Sequence, residues 1–387
     1  MAIPMRISEI TEQDLDALVA ASVREGKTIE YKERIALETD DQKRKFVASI
    51  ASFANAAGGD LIFGLKAEDG VPKEIVALKN FDPDRDIRTL RDIIRAHIDP
   101  PLFGVEFKEI SMQGGSVLTI RVPRAWDGAH MVTYNGDNRF YARDANGRVL
   151  MNVPEIRSSF SAMDSLTERI RRLRFERLAA IRSKELPVLL QDSAKLVLHL
   201  FPLRSFDPGF RCDPTALPQV KDFQPMRVTR GWAPTYDVDG VYVFETTGDR
   251  GSSGYSAFSR AGCVEAVQCF GSERIIPNPD LESDLIQFFP KCVEWLRALK
   301  MEPPIVVMVS LLDVKDHVLG CGPCRPLVSM RRIRQRDLVM HDVFMQTLEI
   351  SAPEVLRPFC DSLWQACGLQ QSFNFDNSGK WHPQRWD

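Results

Sequence analysis

The apolar positions of this chain change period several times before residue 160, and each change predicts an element. After Thr11, whose spacing to Asp14 matches a capping box, Leu15, Leu18 and Val19 recur at helical intervals and fade near Arg24. Thr28 to Lys32 then alternates as a strand does, with Ile29 and Tyr31 on one face and Thr28, Glu30 and Lys32 on the other. Beyond Asp40 and Asp41 the helical period returns, with Phe46, Ile50, Phe53 and Ala54 on one side, and Gly58-Gly59 predicts its stop. Residues 61–65 (LIFGL) predict one buried core strand. Residues 82–97 predict a further amphipathic helix, gathering Ile87, Leu90, Ile93 and Ile94 on one side and Arg88, Arg91 and Arg95 on the other. Two hairpins follow, one joining 105–110 to 117–122 across QGGS, the other joining 131–134 to 139–143 across Asn135-Gly136. On the last strand the alternation puts Arg139, Tyr141 and Arg143 on one face.

Residues 160–184 predict a helix, and Pro187 a break after it. Further on, strands are predicted at 195–201, 241–245, 255–259, 264–270 and 304–312, and helices at 280–300 and 353–367. The expected fold class is α+β: a first domain over 1–159, a linker helix over 160–186 and a second α+β domain over 187–387.

Charge changes this picture locally rather than globally. The formal net charge is −3, so an anionic partner has to be met by patches. Residues 161–184 supply one such patch, with seven Lys and Arg against three acids. The chain has 387 residues and 44% hydrophobic positions, which is globular composition, and it has no apolar run of spanning length and no secretory apolar core near Met1. The expectation is a cytoplasmic protein with no membrane partner. All eight cysteines follow residue 211 at irregular spacings, which reads as reduced thiols rather than a disulfide framework. Cys321-Gly-Pro-Cys324 copies a dithiol motif, but Arg325-Pro326 follows at once, and a turn is the better reading. Residues 21–28 (ASVREGKT) imitate a phosphate-binding loop in the wrong context, since they follow a helix and lead into a strand.

Three stretches taken together carry a family resemblance: Glu25 and Glu30 followed by Tyr31-Lys32, then FVASIASFANAAGGDLIFGL, then residues 123–143 (PRAWDGAHMVTYNGDNRFYAR). This pattern resembles the Schlafen AlbA-like domain of bacterial DNA-binding proteins and animal Schlafens over about residues 9–157. The resemblance implies an α+β nucleic-acid-binding fold from a bacterial source, with DNA, single-stranded RNA or tRNA as partner and room for self-association. Because some Schlafens are divalent-metal ribonucleases, it also implies a candidate Mg²⁺ or Mn²⁺ site at Glu25 and Glu30. The family's third acid falls here on Ala67, leaving Glu68 or Asp69 to substitute; Glu25, Glu30 and Asp69 are the candidate catalytic set. Hard cations need several carboxylate oxygens at one point, so this set requires convergence.

The candidate contacts to nucleic acid are Lys32, Arg88, Arg91, Arg95, Arg121, Arg139, Tyr141 and Arg143, with Arg124 and the helix residues Arg171, Arg172 and Arg174 in reserve. Guanidinium groups suit phosphate oxygens and Tyr141 could stack on a base. Singly, charged positions at these spacings are what a solvated surface carries; their recurrence is what favours binding.

Overall fold

The computed structural model describes residues 3, 5–126, 128–145, 147–207, 210–219, 222–228, 231–245, 251–270, 274–278, 280–320, 331–376 and 378–383, with the main chain alone at 137 and 162–165. Cys321 and Cys324 lie outside the described residues. The chain divides into two compact units, Met1–Glu168 and Arg169–Asp387.

In the first unit the elements run α1 (Glu12–Ala20), β1 (Ile29–Lys32), α2 (Asp40–Ala54), β2 (Gly59–Phe63), β3 (Leu65–Glu68), β4 (Val71–Ile75), α3 (Pro83–His97), β5 (Ile98–Asp99), β6 (Glu106–Met112), β7 (Gly115–Val122), β8 (Met131–Tyr134), β9 (Asp137–Asp144) and β10 (Gly147–Leu150). One four-stranded sheet has the order β1-β2-β7-β6 and another the order β10-β9-β8-β5. The start of α1 is the expected capping box: the Asp14 carboxylate accepts from the Thr11 amide at 2.8 Å and from its hydroxyl at 2.7 Å. β1 runs parallel to β2 and buries both its faces, Ile29 and Tyr31 in a core with α1, and Glu30 on the α2 side.

The predicted core strand 61–65 is two strands. Gly64 has φ +99°, a conformation that L side chains avoid, and it breaks the run so that β2 pairs with β1 and β7 while β3 turns away to pair with β4. Gly58 stops α2 at φ +73°, its amide donating to Phe53 O at 2.9 Å. Gly59 then starts β2, where a Cβ would lie 2.5 Å from the Phe53 ring. Both hairpins form, and Asn135 (φ 49°) and Gly136 (φ 80°) make the tight turn between β8 and β9.

Helix α4 (Val153–Ser183) carries the chain from one unit to the next. In the second unit the strands are β11 (Ala194–Pro202), β12 (Trp232–Tyr236), β13 (Gly240–Glu245), β14 (Gly254–Ser259), β15 (Val264–Phe270), β16 (Ile275–Ile276), β17 (Ile305–Leu312), β18 (Val318–Leu319), β19 (Leu338–Val339) and β20 (Val343–Met345), with helices α5 (Asp280–Ala298) and α6 (Ala352–Ala366). Eight strands form one antiparallel sheet, β12-β13-β14-β15-β11-β17-β19, with β20 also on β17. One face packs under α5 and α6; the other takes Leu178 and Ile181 of α4 against Val197, Tyr242, Tyr255 and Val267. The basic stretch of α4 is therefore packed in its last turns. Arg174 in particular is buried, bonding Asp342 at 2.7 Å, Val309 O at 2.7 Å and Met340 O at 2.9 Å, which removes it from any phosphate-facing surface.

A second buried pair holds the first unit. Arg121 clasps Asp60 through Nε at 2.7 Å and Nη2 at 3.0 Å, and it also donates to Ile3 O at 3.0 Å and Met5 O at 2.5 Å. Asp60 is fully buried and Arg121 nearly so, and the expected phosphate contact through Arg121 is thereby corrected: its donors are spent on the N-terminal segment. Asp60→Ala strands a buried guanidinium, and urea denaturation is expected to show a loss of about 3 kcal/mol; an apolar replacement of both partners is expected to cost much less.

Candidate nucleic-acid interface

Strand alternation turns Glu30 away from the Ile29 and Tyr31 face and presents it to the side of α2 that carries Ser49 and Ser52. Its carboxylate accepts from Lys32 Nζ at 2.7 Å, Arg143 Nη1 at 2.5 Å and Ser49 Oγ at 3.3 Å. Burial would raise the Glu30 pKa, but Lys32 and Arg143 outweigh that and hold it below the ordinary value. Arg143 is buried in turn, lying 4.1 Å over the Phe53 ring and donating to Gly26 O at 3.3 Å. Arg143 was expected on the outside with Arg139 and Tyr141. In fact Tyr141 is also buried in the α2 and α3 core, so neither can meet a nucleotide directly. Of that trio Arg139 alone is exposed.

Glu25 and Asp69 line the same cavity as Glu30, but the expected acids do not meet at one point. Glu25 Oε1 accepts from the Tyr31 amide at 2.8 Å, Asp69 sits in the turn at φ 49°, and Glu68 is exposed, 4.0 Å from Lys66. Among the described residues no three Asp, Glu, His or Cys side chains converge so as to hold a metal ion. A divalent cation would compete at Glu30 with two cations already on its oxygens, so these residues do not fit the Mg²⁺ or Mn²⁺ site expected of Glu25, Glu30 and Glu68 or Asp69.

What these elements do build is a cleft of about 880 Å³. Its floor is apolar, from Phe46, Leu61 and Phe63, and its walls come from β1 and residues 34–37, the polar side of α2, the turn at Asp69-Gly70, and the β9–β10 hairpin. Six basic side chains line it, Arg24, Lys32, Arg34, Lys45, Arg143 and Arg148, against the three acids Glu25, Glu30 and Asp69. Arg148 is fixed by a 2.7 Å bond to Lys45 O and by its position 5.4 Å over the Tyr141 ring. Lys32 is exposed beyond its bond to Glu30.

Residues 25–152, one third of the chain, match the family model for Schlafen, AlbA_2. Residues 25–152 are thus similar to the Schlafen, AlbA_2 family. No curated protein matches the chain. Among solved structures, the chain is similar to the DIP2311 protein from Corynebacterium diphtheriae, with 20% identity over 36% of this chain and 29% of that one at a TM-score of 0.26. It is also similar to the N-terminal domain of an ATP-dependent DNA helicase RecG-related protein from Nitrosomonas europaea, with 28% identity over 29% of this chain and 71% of that one at a TM-score of 0.23. The chain thus spans less than a third of the length of the DIP2311 protein.

Of the sequence-predicted contacts, Lys32 and Arg143 reach this cleft, while Arg88, Arg91 and Arg95 form the exposed face of α3, with Arg91 5.1 Å over Phe107. Arg24, Arg34, Lys45 and Arg148 were missed. Lys45 could have been found, because Gln42, Lys45 and Ser49 recur at helical spacing along one flank of the expected apolar stripe. Arg148 could not, since its place depends on how the hairpin folds back on α2.

Glu30→Gln leaves the buried Arg143 without its counter-charge, and the expected loss is about 3 kcal/mol at neutral pH. Since the folded carboxyl is held below its ordinary value of 4.5, its stabilisation is complete above that pH and is lost as pH falls through the folded value. The gap between parent and variant in urea denaturation is therefore expected to narrow on acidification below about pH 4.5.

Proposed function

We propose that the first unit binds the phosphate backbone of nucleic acid in the cleft beside β1 and α2. The observation that carries this reading is the convergence of five exposed basic side chains, Arg24, Lys32, Arg34, Lys45 and Arg148, on one cavity, within a domain matched by the Schlafen AlbA_2 model. Three carboxylates offset them in part and Lys45 pairs with Asp41 at 2.8 Å, but Glu30 is internally neutralised by Lys32 and Arg143, so the excess of positive charge belongs to the exposed groups Arg24, Arg34 and Arg148. Such an arrangement neutralises phosphates without reading base edges. The apolar floor gives an unstacked base a surface to rest on, which favours single-stranded RNA or DNA over duplex. The exposed arginines of α3 extend the basic surface of the same unit. Cleavage by a metal-dependent route has less support, because Glu30 already carries two cations and Glu25 accepts from the Tyr31 amide.

Fluorescence anisotropy with labelled oligonucleotides across a salt series tests the reading. The parent is expected to bind with an affinity that falls steeply with salt. Lys45→Ala with Arg148→Ala is expected to weaken binding at least tenfold and to reduce the slope of log Kd against log salt by roughly one per contact removed. Salt-independent binding, or unchanged affinity in the double variant, would overturn it.

A further inference from the structure

The second unit holds its own group of basic side chains around a cavity. A cavity of about 470 Å³ opens between the last turn of α4, residues 186–195, Arg274, the loop after β17 and Arg336. Arg182, Lys184, Lys195, Arg274 and Arg336 line it, against the two acids Asp192 and Asp313. Both acids are already countered, Asp192 by Lys184 at 3.9 Å and Asp313 by Arg336 at 2.9 Å. Arg182 pairs with Asp337, and Arg274 with Asp316 at 3.7 Å.

Lys195 differs from the rest. It is the second residue of β11, and the alternation that sends Leu196 and Leu198 under α5 and α6 sends Lys195 and Val197 to the face covered by α4. It is 6% exposed, its ammonium donates to Ser193 O at 2.6 Å, and among the described residues it forms no ion pair with a carboxylate. An ammonium has three donors, and burying one beside a single carbonyl is costly unless something anionic shares the site. The apolar part of the lining comes from Ile181, Leu186, Val188 and Leu190.

From the buried ammonium, the surrounding guanidinium groups and the apolar lining, we infer that this cavity is a binding site for a small organic phosphate of nucleotide type. The phosphate sits on Lys195 and takes forked contacts from Arg336 and Arg274, whose planar donors match its oxygens, while the base or other flat apolar part lies on the apolar lining at Leu186. The cavity volume is in the range of small-ligand pockets. The site is separate in sequence from the cleft of the first unit, and the inference does not depend on what that cleft binds.

Calorimetric titration of the full chain with AMP, adenosine, inorganic phosphate and citrate at constant ionic strength tests it, together with the rise in melting temperature that a ligand bound to the native state produces. AMP is expected to bind and to raise the melting temperature, inorganic phosphate to compete with it, and adenosine to bind at least tenfold more weakly. Lys195→Met is expected to weaken AMP at least tenfold while leaving oligonucleotide affinity unchanged. Should Lys195→Met fail to fold by circular dichroism, Arg274→Ala with Arg336→Ala is expected to give the same loss. Absence of AMP binding, undiminished binding in a folded variant, or citrate binding as tightly as AMP would overturn the assignment.

Discussion

Glu30 cannot be exposed and cannot be neutral where β1 places it, and the first unit is arranged around that constraint. A carboxylate pressed against α2 needs a cation on it, and Arg143 reaches it from a strand more than a hundred residues later. Once there, the guanidinium lies on Phe53, the residue whose ring also requires glycine at the start of β2. One ion pair thus ties β1, α2, β2 and β9 together. It also sets the position of the β9–β10 hairpin, so that Arg148 reaches back to α2 beside Lys45. The cleft is a consequence of that tie: its walls are the elements the pair connects, and its charge is what remains after Glu30 is satisfied.

This gives a physical reason why a pair of acids five residues apart need not signal catalysis. Glu25 serves as a backbone acceptor for Tyr31 and Glu30 as the centre of a buried charge cluster. Catalytic roles would use the same carboxylates, so residue identity alone does not separate them. The partners do.

Much of the fold was legible in the chain because it rests on short-range patterns. The α1 capping box, the amphipathic α3 and the Asn135-Gly136 hairpin all depend on residues within one or two turns of each other. Where the reading failed, the deciding interaction was distant in sequence. Arg121 looked like a surface arginine because Asp60 is 61 positions away, and Arg143 because Glu30 is 113 away. Arg174 meets Asp342 across 168. The alternation that put Arg139, Tyr141 and Arg143 on one face says nothing about which face is covered, and α2 covers this one toward its Arg143 end. The split at Gly64 could have been suspected from the glycine itself, but its positive φ is set by the separate pairings of β2 and β3.

Hydrogen exchange of the full chain with and without a saturating single-stranded oligonucleotide tests most directly whether the cleft is the interface. Bound nucleic acid is predicted to slow exchange at residues 32–37, at the Gln42 to Ser49 face of α2 and at Gly147-Arg148, the segments that wall the cavity. Protection confined to α3, or to the second unit, with the cleft segments unchanged, would contradict the account.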